Sequence, residues 1–230
     1  MTGVATVLGA GSWGTALALL LAETGEVRLW EYSAERAERL ARERENLQYL
    51  PGHPFPPTLI TTNDLAGALN GASLVVLAVP SGAAGKALTE AAPYLSTDVI
   101  LVLASKGIDP VTLELPADVA TRLVPGRPVV AISGPNLARE VACGVPTAAV
   151  AASESAEVAT IVAERFNRPT FRTYVSGDIR GVELGGAVKN VLAIAGGVSD
   201  GLGYGDNTKA ALLTRGLSEM AHLGNFLRAK

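Results

Sequence analysis

Short apolar runs recur along this chain, each followed by a polar or glycine-rich break and then a helical pattern. The runs cover residues 4–8, 27–30, 74–79, 99–103, 129–132 and 147–151. They are four to six residues long and rich in Val, Ile and Leu. That length and composition mark parallel strands buried on both faces rather than buried helix. Helical patterns lie between several of them, at 14–23, 33–45, 82–92, 114–123 and 155–165, with Ser33 placed to cap the second. Alternating β and α predicts an α/β fold, an open sheet with helices on both faces and right-handed connections. The proline-rich segment 51–57 can be neither helix nor central strand and reads as a loop excursion.

The character changes after about residue 178. Residues 178–198 are apolar and rich in Gly and Ala, 199–206 form a glycine-containing loop, and 207–223 are helical in pattern. No further strand is predicted. The chain therefore divides into an α/β domain over 1–177 and the first part of an all-helical domain over 178–230.

Composition excludes several classes. Hydrophobic residues make up 48% and charged residues 18% of 230 residues, which rules out intrinsic disorder. A net charge of −3 offers no basic footprint for nucleic acid. Cys143 is the single cysteine, so no disulfide framework is possible, and a reducing compartment fits. With His53 and His222 it gives no metal-ligand spacing. Cys143 reads as a small packing residue with no histidine to activate it, and both histidines as ordinary surface or packing residues. The start, Met1-Thr2-Gly3-Val4, lacks the positive segment of a signal peptide. The apolar run 16–22 is too short to span a membrane, and 181–198 carries Glu183, Lys189 and Asn190. A soluble, cytoplasmic chain is expected.

Gly9-Ala10-Gly11-Ser12-Trp13-Gly14 is G-x-G-x-x-G, placed directly after the first run and opening the first helix. That context is what gives the motif meaning. Gly9 permits the tight turn, Gly11 lets backbone approach a pyrophosphate, and Gly14 lets helix and strand pack closely. Free N–H groups and the helix dipole then face phosphate charge. The fold class narrows to a Rossmann-type doubly wound, mostly parallel sheet followed by an incomplete all-helical domain. Glu31 lies 20 residues after Gly11, where an acid accepts a hydrogen bond from a ribose 2′-hydroxyl and repels a 2′-phosphate. NAD is favoured over NADP, although Arg28, Arg36 and Arg39 keep NADP open. The plainer alternatives are a packing turn and a solvated charge at a strand end.

These residues add up to a family resemblance. The stretch from Gly9 to Ala18 looks like the opening of bacterial NAD(P)-dependent glycerol-3-phosphate dehydrogenases. So do Asn46-Leu47-Gln48-Tyr49-Leu50-Pro51-Gly52, Val79-Pro80-Ser81 and Ser105-Lys106-Gly107. So do the segments from Ser133 to Val141, Gly181 to Val191, Gly201 to Asn207 and Thr214 to Met220. The resemblance implies interconversion of dihydroxyacetone phosphate and sn-glycerol 3-phosphate by hydride transfer with NAD(P)(H), feeding glycerophospholipid synthesis. It implies Lys189 as the catalytic acid/base, and an ammonium inside an apolar helix fits that role. A snorkelling surface lysine is the alternative. Lys106, Gly134, Asn136 and Asn190 are implied as substrate contacts, with Lys106 also touching cofactor. Ser12, Trp13 and Ala138 are implied as cofactor contacts, although Trp13 could instead be a core aromatic. Asp206 and Asn207 read as an N-cap and dipole complement. A homodimer is implied as well.

The chain departs from the family twice. Tyr32 stands where many members carry a basic residue, which leaves NAD(H) favoured by Glu31 and Tyr32. The family also continues beyond position 230, into an active-site aspartate and a serine-arginine-asparagine stretch. Lys189 is thus expected without its carboxylate, and the helical part with an exposed apolar face. Two readings follow: an active dehydrogenase, or a truncated or degenerate relative that holds dinucleotide with little or no turnover. A third, another 3-hydroxyacid-type dehydrogenase, is opposed by Lys189-Asn190 and its flanks.

Overall fold

A computed structural model describes residues 3–227 and 229. The readings at Met1 and Thr2, and at Arg228 and Lys230 in the tail, lie outside the described residues. The strands are β1 (Val4–Leu8), β2 (Val27–Trp30), β3 (Glu45–Asn46), β4 (Leu50–Pro54), β5 (Leu59–Thr62), β6 (Ala72–Leu77), β7 (Ile100–Leu103), β8 (Val129–Ser133), β9 (Thr147–Ala152) and β10 (Phe171–Ser176). The helices are α1 (Ser12–Ala22), α2 (Ala34–Glu43), α3 (Leu65–Leu69), α4 (Ser81–Ala91), α5 (Pro116–Leu123), α6 (Ala138–Ala142), α7 (Ala156–Phe166), α8 (Ile179–Gly201) and α9 (Gly205–Phe226).

Eight strands form one sheet in the order β10-β9-β8-β7-β6-β1-β2-β5. Every neighbouring pair is parallel except β8 and β9. From β1 the chain winds outward through β2 to β5, then crosses back to β6 and builds the other half. The strand order therefore reverses between β1 and β6, and a crevice opens at their carboxyl ends. The alternating pleat explains why both faces are buried. Leu74 and Val76 of β6 enter one core with Leu17, Leu21, Leu29 and Phe166. Val75 and Leu77 enter the other with Leu88, Leu101, Leu103 and Val119. The predicted α/β architecture is observed.

Local signals set the helix starts. Ser33 accepts a hydrogen bond from the Arg36 N–H at 3.4 Å, and Ser155 caps α7 through the Val158 N–H at 3.3 Å. Asp178 does the same for α8 through the Gly181 N–H at 2.8 Å. Four expectations need correction. Residues 50–54 are not plain loop but β4, paired with β3 in a two-stranded antiparallel ribbon off the main sheet. Two strands, β5 and β10, escaped the run criterion; each lies at an edge of the sheet. The long helix α8 extends to Gly201, so the loop before α9 shrinks to residues 202–204. Asp206 and Asn207 therefore lie inside α9, whose cap position is Tyr204. Asp206 still complements the dipole from the first turn, but it is not the N-cap.

Candidate functional site

The G-x-G-x-x-G turn joins β1 to α1 at the crevice. Gly9 has a φ of +109° and donates its N–H to the Trp30 carbonyl at 3.0 Å, locking the turn to β2. A Cβ on Gly14 would collide with the Gly9 carbonyl, so close packing of turn and helix requires glycine there. Gly11 occupies the cap position of α1 with no side-chain cap, and nothing lies within 4 Å of where its Cβ would be. Thr15 N–H closes the first helical bond on the Gly11 carbonyl at 2.9 Å. The preceding N–H groups of this eleven-residue helix have no intrahelical acceptor and no side-chain cap, which suits a pyrophosphate. Ser12 is exposed at this edge.

A cleft of about 650 Å³ runs from the turn along the carboxyl ends of the strands. Glu31 and Tyr32 line one end with Arg36 and Tyr49. Glu31 is only 2% exposed. One of its oxygens accepts from the Ser33 N–H at 3.1 Å, and the other pairs with Arg36 at 3.3 Å. The Arg36 guanidinium also lies 4.8 Å from the Tyr49 ring centroid. Arg28 instead binds the Gly67 and Asn70 carbonyls, and Arg39 bonds Gln48, so of those three arginines Arg36 alone lines the cleft. Buried Asn46 braces the turn from behind, donating to the Ala10 carbonyl at 2.9 Å and to Thr15 Oγ1 at 2.8 Å. Its family segment was legible, but this reach across 36 residues has no local signal.

At the other end stand Lys106, Asn136 and Ala138. Lys106 follows β7 and places its ammonium 5.2 Å from the Trp13 ring centroid. Burial, with the neighbouring Lys189 charge and its hydrogen bond adding to it, lowers the Lys106 pKa to about 8. Lys189, projecting from α8, donates to the Gly134 carbonyl at 2.9 Å. Asn136 is 6% exposed; its amide donates to the Ala148 carbonyl at 2.8 Å. Its buried Oδ1, and the buried Nε1 of Trp13, have no partner among the described residues. Both atoms belong to residues lining the cleft, so a ligand with one donor and one acceptor would satisfy them. Trp13 also packs against the core while lining the cleft. Asn190 is exposed beside Lys189 and does not line the cleft.

The reading of Cys143 is corrected. Its thiol is exposed at the end of α6, and its Sγ lies 3.8 Å from Nε2 of His53. Ninety residues separate the two, so sequence adjacency could not reveal the pair. Among the described residues no group of three or more His, Cys, Asp or Glu could hold a metal ion. No helix among them is long and apolar enough to cross a membrane.

Residues 4–159 match the family model described as NAD-dependent glycerol-3-phosphate dehydrogenase N-terminus, and residues 178–230 match the C-terminus model of the same family. The chain is 49% identical over 222 residues to glycerol-3-phosphate dehydrogenase [NAD(P)+] of Citrifermentans bemidjiense, covering 95% of this chain and 66% of that relative. It is 54% identical over 224 residues to the Thermus thermophilus protein of the same name, covering 96% of this chain and 68% of the relative. The crystal structure of glycerol-3-phosphate dehydrogenase from Coxiella burnetii superposes with a TM-score of 0.93 at 41% identity, over 99% of this chain and 70% of that one.

Proposed function

The chain belongs to the NAD-dependent glycerol-3-phosphate dehydrogenase family, and from that premise we propose that it interconverts dihydroxyacetone phosphate and sn-glycerol 3-phosphate using NAD(H) or NADP(H). The observation that carries this reading is the meeting of Lys106, in the loop after β7, and Lys189, on α8, beside a cleft that begins at a phosphate-cradling turn. The dinucleotide supplies the hydride when bound. Gly9, Gly11, Ser12 and Gly14 hold its pyrophosphate through the α1 N-terminus, with Trp13, Glu31, Tyr32 and Ala138 along the cleft walls.

Lys106 offers positive charge to the substrate phosphate or polarises the C2 carbonyl. Lys189 is held on the Gly134 carbonyl at 2.9 Å. From there it delivers a proton to the substrate oxygen in the reducing direction and takes one back in the oxidising direction. Asn136 Oδ1 accepts from a substrate hydroxyl. Residues 1–177 then act as the dinucleotide domain and 178–230 as part of a substrate domain, in a homodimeric, cytoplasmic enzyme whose product feeds glycerophospholipid synthesis.

A second reading is a dinucleotide-binding chain with little turnover. The names of the relatives do not favour it, and the exposure of Asn190 is the one departure from the predicted site that bears on it. Titration with NADH, followed by an assay of NADH consumption with dihydroxyacetone phosphate, separates the two. Substrate-dependent consumption that Lys189→Ala abolishes supports the dehydrogenase. Binding without turnover supports the second reading, and absence of binding rejects both.

A further inference from the structure

The end of the cleft beneath β2 carries a charge arrangement that the acid at position 31 does not describe by itself. Glu31 and Arg36 form an ion pair at 3.3 Å with the carboxylate almost fully buried and the arginine side chain 23% exposed. The guanidinium is fixed from three sides. It pairs with Glu31, donates to the Ala10 carbonyl at 3.4 Å and stacks on Tyr49. The second Glu31 oxygen accepts from the Ser33 N–H, and each oxygen keeps a further lone pair. Neither group can swing away without breaking several contacts, so a ligand at this end of the cleft meets a fixed pair of zero net charge.

We propose that Arg36 is the specificity-determining residue for the 2′ position of the adenosine ribose. This rests on the dinucleotide reading of the cleft. A bare carboxylate at the end of β2 would accept from a 2′-hydroxyl and repel a 2′-phosphate. Arg36 cancels that repulsion while leaving the acceptor in place. The site is therefore tolerant: NAD(H) gains a hydrogen bond, and NADP(H) loses little to the paired charge. Tyr32 adds contact area and no charge. Arg36 acts directly on the ligand and through Glu31, and its position one turn into α2 is set by the Ser33 cap.

The test is fluorescence titration of NADH and NADPH into the 230-residue chain and four variants. The unsubstituted chain should bind the two within about tenfold of each other, while Arg36→Leu should move the affinity ratio about tenfold toward NADH by leaving Glu31 unpaired. Glu31→Gln should move it by a similar factor toward NADPH, by leaving the guanidinium free. Arg36→Lys, which keeps the charge but loses the planar stack, should hold the ratio near the starting value. Arg39→Leu, on the same helix but bonded to Gln48, should leave it unchanged. Added salt should shrink the Arg36→Leu shift.

Ratios that stay fixed in both Arg36→Leu and Glu31→Gln, or that move in the same direction in both, overturn the proposal. The opposed directions protect the test against a variant that merely folds poorly, because a damaged site weakens both ligands together. Should the unsubstituted chain bind neither dinucleotide, the reading of the cleft fails and the proposal falls with it, a result distinct from binding without discrimination.

Discussion

Lys106 concentrates burial and like charge on one ammonium. Its pKa of about 8, with desolvation as the larger cause and Lys189 as the smaller, means that the group is a cation below that pH and neutral above it. Anion binding at this end of the cleft should therefore be intact below about pH 8 and lost as pH rises through it. Lysine side-chain NMR should show a Lys106 midpoint near that value. Lys189→Ala should raise the midpoint, while leaving it below the ordinary value of 10.5 because burial persists. A midpoint unmoved by Lys189→Ala would mean that the two ammonium groups do not interact. Residues of this kind were legible in part. Lys189 stands out because charge interrupts an apolar context, and Lys106 because it follows a strand within a family motif. Arg36 and the Cys143–His53 contact do not, because helix surfaces and loops abound in such residues and only the fold selects which of them meet.

At the scale of elements, legibility followed burial. The central strands are continuous apolar runs because both faces of the sheet are covered, and β1 and β2 fall where the runs predict. The strands β5 and β10 carry Thr61, Thr62, Arg172 and Thr173, and Ile60 and Tyr174 are exposed. An edge strand open to water need not be apolar throughout, so the run criterion passes over it.

Contacts between elements were less legible still. Glu183 of α8 is 7% exposed, and its Oε1 accepts from the Ala117 N–H at the start of α5 at 2.9 Å. Arg180 adds a bond to Asp118 at 2.8 Å, so α8 is clasped to α5. Burial raises the Glu183 pKa from 4.5 to about 8. The folded state thus holds a proton that the unfolded chain releases. Its contribution is full below pH 4.5 and is lost as pH rises through about 8. Urea unfolding across that window should show a loss on the order of 5 kcal/mol that is missing in Glu183→Gln. Equal slopes in the two proteins would place the proton elsewhere. The amide keeps an acceptor for Ala117, so the clasp itself should survive.

The whole molecule divides its surface unevenly. The sheet domain buries its apolar runs in two cores, whereas α8 and α9 pack mainly on each other and leave apolar side chains in water. Ile194 is 69% exposed and Leu217 60%, with Val191 and Val198 also exposed on the same pair of helices and Leu202 in the loop between them. The chain spans 66% of the length of one curated relative and 68% of another. Exposed apolar surface on this scale drives association. The 230-residue chain should therefore sediment as oligomers whose fraction grows with concentration, and Ile194→Glu combined with Leu217→Glu should return it toward the monomer. Both positions lie on the outer helices rather than in the cleft, so dinucleotide affinity should stay within about twofold, below the change that loss of one ordinary interaction brings. A chain that sediments as a monomer at every concentration would show that these side chains cover one another in solution. If oligomers persist in the double variant, association runs through another surface, and the sheet edge at β10 becomes the next place to substitute, since an unpaired strand edge is the other feature that recruits a second chain.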